Sequence, residues 1–79
     1  MGVPAHDVTY TVILEREDDG GFSVWVPDLP GCASQGDSYD EAIANIKEAM
    51  GLYIESLRAE GLLVPEPRSR AKGVRVAAA

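Results

Sequence analysis

The chain is poor in cysteine, in aromatic side chains and in basic residues, and each shortage excludes something. A single Cys32 in 79 residues leaves no partner for an internal disulfide and cannot furnish a thiolate-rich metal site. A reducing compartment fits, and a cytoplasmic location is expected. From Met1 to His6 there is no basic residue and no apolar run of signal-peptide length, and His6 stands where a myristoylation signal wants Ser or Thr. No stretch is apolar enough to span a bilayer, so no membrane association is expected. Five aromatics (one Trp, one Phe, three Tyr) make a small core. A domain this short buries only about 60% of its unfolded surface. One domain, residues 1 to 79, is therefore expected, and it should associate into a homo-oligomer, a dimer or a tetramer.

Seven basic side chains stand against 13 acidic ones, and they are not spread evenly. All 13 acids and only Arg16, Lys47 and Arg58 lie in residues 1 to 67, a balance of −10. Residues 68 to 79 hold Arg68, Arg70, Lys72 and Arg75 and no acid, a balance of +4. An acidic body of this kind repels phosphate backbones and suits a basic protein partner. The short basic tail has two readings. It is a solubilising exposed edge strand, or it is an arm that touches nucleic acid, although no aromatic is interleaved to stack on bases.

Hydrophobic alternation marks the strands. Val8 to Arg16 reads VTYTVILER, with Val8, Tyr10, Val12 and Leu14 on one face and Thr9, Thr11, Ile13 and Glu15 on the other. Glu17-Asp18-Asp19-Gly20-Gly21 is a hairpin signal. Phe22 to Val26 alternates again until Pro27-Asp28-Leu29-Pro30-Gly31, where two prolines end the ladder and Pro30-Gly31 suits the centre of a type II turn. Cys32 to Gly36 then returns as a third strand. Ser38-Tyr39-Asp40-Glu41 is a capping box opening a helix whose apolar positions, from Ala42 to Leu57, recur at three- and four-residue steps until Gly61. Val74-Arg75-Val76 reads as a fourth strand. The class is α+β, β-β-β-α-β, a meander whose helix crosses over so that the fourth strand lies beside the first in the order 3-2-1-4. One helix covers only one face of such a sheet, which leaves Ile13 and Trp25 on the other. An exposed Trp suits an interface, while partial burial against the proline turn is the plainer use.

The reactive side chains give little chemistry. Cys32 with His6 lacks a third orienting group, the run Glu17-Asp18-Asp19 lacks the spacing of a calcium loop, and capping explains Asp37, Asp40 and Glu41. Neither a phosphate-binding glycine loop, a zinc pattern nor a Ser/His/Asp arrangement is present. No enzyme, metal site or cofactor is expected.

The block Asp19-Gly20-Gly21-Phe22-Ser23-Val24-Trp25-Val26-Pro27-Asp28-Leu29-Pro30-Gly31-Cys32 carries a further signal, together with Gly36-Asp37-Ser38, Glu41-Ala42, Gly61-Leu62 and Pro65-Glu66-Pro67. It resembles the N-terminal domain of the HicB antitoxin family, over about Tyr10 to Pro67, 58 of the 79 residues. The resemblance implies a partial ribonuclease H-like fold without catalytic carboxylates, and a type II antitoxin that binds and neutralises a small basic HicA-like toxin that cleaves messenger RNA. Many family members add a C-terminal DNA-binding domain, for which the twelve residues after Pro67 are too few, so direct DNA binding is not expected of residues 1 to 79. The alternative is an orphan binding module, contacting nucleic acid through residues 68 to 79. From the proline-turn signature and the acidic body, the expected partner-binding residues are Trp25, Pro27, Asp28, Leu29 and Pro30, with Asp18, Asp19 and Tyr39 nearby.

Overall fold

A computed structural model of the chain describes residues 7 to 78. Three strands, β1 (Ile13–Arg16), β2 (Phe22–Trp25) and β3 (Ala33–Gly36), form an antiparallel meander in the order β1-β2-β3, followed by one helix, α1 (Tyr39–Ala59). The meander and helix stand where alternation and the capping signal put them. The turns explain the register. The Gly20 amide donates to the Glu17 carbonyl at 3.0 Å and the Glu17 amide to the Gly21 carbonyl at 2.8 Å, closing the hairpin. In the proline turn the Leu29 amide donates to the Val26 carbonyl and the Cys32 amide to the Leu29 carbonyl. Gly31, at φ +82°, occupies the third position of that second turn, where a side chain would be strained. The two linked turns drop Leu29 into the core.

The core lies between the sheet and the helix. Tyr10, Val24, Val26, Leu29, Cys32, Ala42 and Ile46 are buried, with Val12, Leu14, Phe22 and Tyr53 packed around them. The helix sits close on β3 because Gly36 has no side chain: a Cβ there would come within 2.8 Å of the Ala42 Cα. Ser38 caps α1, its Oγ accepting from the Glu41 amide at 3.1 Å. At the other end Leu62 donates to the Leu57 carbonyl and Gly61 to Arg58, the paired bonds of a Schellman motif. No helix among the described residues is long and apolar enough to cross a membrane.

Two expectations are corrected. The first strand begins at Ile13 rather than Val8. In the β1/β2 register the next bonded pair after Ile13 and Trp25 would be Thr11 and Pro27, and Pro27 has no amide hydrogen to give to the ladder. Residues 8 to 12 are held instead by side chains, the Tyr10 hydroxyl donating to the Pro65 carbonyl and Thr11 Oγ1 to the Ser69 carbonyl. Second, no strand follows α1 among the described residues, so the order 3-2-1-4 lacks its fourth member. Val74 and Val76 are 77% and 78% exposed, and no ladder forms along Val74-Arg75-Val76, because a three-residue run amid Arg70, Lys72 and Gly73 covers nothing on its own sheet.

Candidate partner-binding surface

The sheet places the expected residues in two groups, about 10 Å apart along β2 at roughly 3.3 Å per residue. At one end, Trp25 stands on the uncovered face, flanked in register by Ile13 and Ala33, and is 37% exposed. Pro27 and Pro30 are exposed on the adjoining turn. Leu29 is 0% exposed, so it shapes this surface from beneath and cannot itself touch a partner. At the other end, Asp18 and Asp19 are exposed on the hairpin tip, and Tyr39, 56% exposed, stands edge-on to Phe22 with ring centroids 6.1 Å apart.

Asp28 has a structural task that sequence reasoning did not see. Its Oδ2 accepts from the amides of Arg68 and Ser69 at 2.8 and 2.7 Å, and its Oδ1 accepts from the Ser69 hydroxyl at 2.9 Å. These bonds, the Ser69 amide's first, hold its carboxyl below the usual carboxylate value. The partners lie forty and forty-one positions on, and nothing local in the sequence signals such a pairing.

Between the hairpin tip and the start of α1 runs a cleft of about 360 Å³ with four carboxylates on its walls, Glu17, Asp19, Asp37 and Glu41. Cross-strand pairing builds it: Phe22 faces Gly36, which sets Gly21 against Asp37. Its signal was in the sequence as separate features, a hairpin tip and a helix cap, and only the register joins them. One half of the capping box is formed, while the Glu41 carboxylate lines this cleft. Among the described residues, no three His, Cys, Asp or Glu side chains come together as a metal site would require. Cys32 is buried, and burial pushes its thiol above the ordinary value, away from the reactive thiolate. His6, the other half of the weighed Cys/His pair, lies outside the described residues.

With this geometry in place, the comparisons decide the family. The family model of the HicB-like antitoxin of bacterial toxin-antitoxin systems matches residues 10–76. The chain belongs to the HicB-like antitoxin family. It is 56% identical over 63 residues to the UPF0150 protein ssr1765 of Synechocystis sp., covering 80% of each chain. It is 50% identical over 56 residues to the UPF0150 protein Ta0767 of Thermoplasma acidophilum, covering 71% of this chain and 81% of that one. Among solved structures, the N-terminal domain of the Burkholderia pseudomallei antitoxin HicB superimposes with a TM-score of 0.68 at 34% identity, over 75% of this chain and 69% of that one. A chain of the HicA3 and HicB3 toxin-antitoxin complex superimposes with a TM-score of 0.64 at 31% identity, over 77% and 70%. The three-strand meander and helix are thus the fold of a HicB N-terminal domain.

Proposed function

We propose that this chain is an antitoxin that binds a small, basic, HicA-like toxin and silences its cleavage of messenger RNA. The similarity to a chain of the HicA3 and HicB3 complex carries the reading. The charge distribution supports it independently. A protein that cleaves RNA needs positive surface to hold phosphates, and the acidic body of this chain, at −10 over residues 1 to 67, is complementary to such a surface. The cleft carboxylates with Asp18 and the neighbouring Tyr39 receive the partner at the hairpin end, and the apolar face around Trp25, with Pro27 and Pro30, supplies area to bury at the other. Asp28 and Leu29 contribute by holding that surface in shape. The chain acts by covering the toxin and not by catalysis, in the cytoplasm.

The test is capture of the tagged protein from its source cells at moderate salt, with intact-mass analysis of what elutes. A small basic protein whose ribonuclease activity is suppressed in the complex and appears on dissociation is the expected result. A co-eluting protein without ribonuclease activity, or the bare homo-oligomer, would contradict it.

A further inference from the structure

The outer edge of β1 and the segment after Ser69 each lack a partner among the described residues, and their chemistry matches. The Glu17 to Gly21 bond fixes the phase of the β1/β2 ladder, so Glu15 pairs inward with Ser23 while the backbone groups of Leu14 and Arg16 point away from β2. Nothing among the described residues meets them. From Arg70 to Ala78 every residue is exposed, and none forms a hydrogen bond with the body. The radius of gyration, 15.2 Å, exceeds the roughly 12 Å of a compact chain of this length.

We propose that residues 74 to 76 of one copy complete the sheet of a second copy at the free edge of its β1, in a reciprocal exchange. Three observations select that occupant and that edge. The root of the tail is pinned beside the start of β1, by Thr11 on the Ser69 carbonyl and by Asp28 on Ser69, so two copies related by a dyad near this edge each offer a tail to the other. From Ser69 to Val76 the chain can reach about 23 Å, at roughly 3.3 Å per residue, enough to cross the dyad and lie along a four-residue strand. The side chains also fit in one register. Val74 and Val76 fall on the covered face beside the half-buried Leu14, and Arg75 falls on the open face beside Glu15. A basic tail on an acidic body adds attraction between copies that a tail on a neutral body would lack. The exchange removes an exposed edge and covers two exposed valines at once. It stands on the sheet edge and the tail alone and does not depend on the identity of the toxin.

Sedimentation of the full chain, with amide hydrogen exchange read residue by residue, tests it. The wild-type protein should run at twice its 8.4 kDa mass, with the amides of Leu14 and Arg16 protected increasingly as protein concentration rises. The double variant Val74→Pro, Val76→Pro alters only exposed positions and should keep its circular dichroism, run as a monomer and lose that protection. A wild-type monomer, a dimer indifferent to the two prolines, or protection independent of concentration would overturn the proposal; the last would mean that each tail closes on its own β1.

Discussion

The two faces of one four-residue strand make the most instructive comparison in this molecule. On β2, Val24 is 1% exposed and belongs to the core cluster with the helix residues Ala42 and Ile46, whereas Trp25, the next residue, is 37% exposed and stands outside that cluster. A single helix cannot cover both faces of a sheet, so the pleat separates the residues that hold the fold from those that remain for a partner. Stability and recognition should therefore respond to different substitutions, even at adjacent positions.

The largest effect should come from the covered side. Leu29→Ala empties a fully buried site at the base of the proline turn and should cost about 2 to 5 kcal/mol of folding stability, read from the urea midpoint. A loss below about 1 kcal/mol would place Leu29 outside the core and break the comparison. Next, Gly36→Ala should cost about 1 to 3 kcal/mol, because the new Cβ meets the backbone of Glu41 and Ala42, which cannot step aside without moving the helix. Thermal unfolding measures it, and an unchanged midpoint would show that the helix packs more loosely.

The boundary between fold and surface runs through Asp28, and its effect is one of pH. Because hydrogen bonds lower its carboxyl in the folded chain, the clamp contributes fully above the ordinary carboxylate value and is lost as pH falls through the lowered one. Protection of the Arg68 and Ser69 amides, taken relative to the intrinsic exchange rate at each pH, should fall over that window in the wild type. In Asp28→Asn it should already be low at neutral pH, with no such pH step. The smallest effect belongs to the exposed hairpin tip. Asp18→Lys should leave stability within about 0.5 kcal/mol of wild type, slow association with a basic toxin at low salt, and leave its dissociation nearly unchanged. Stopped-flow binding across ionic strengths separates the two rates.

Much of this arrangement was legible in the sequence because it is local. Alternation within Ile13 to Arg16 and Phe22 to Trp25, the Pro30-Gly31 turn and the Ser38 cap each act over a few residues, and each appears where the pattern placed it, although the pattern extended the first strand back to Val8. What escaped is long-range. The bonds from Tyr10 to Pro65, from Thr11 to Ser69 and from Asp28 to Ser69 join residues more than forty positions apart, and polar pairs leave no periodicity to read. Leu29 was misread as surface for a related reason: two prolines beside it look like an exposed loop, and only the stacked turns reveal that the leucine points inward. Val74-Arg75-Val76 has strand composition, but a strand also needs an edge to join, and its own sheet does not take it.

The central claim is that the open face recognises and the covered face folds, and Trp25→Ala with its cognate toxin tests it most directly. Calorimetric titration of the toxin, alongside thermal unfolding of the free variant, should show affinity weakened by about 2 kcal/mol or more while the unfolding midpoint stays close to wild type. Undiminished affinity, or a midpoint that falls as far as that of a core variant, would contradict it.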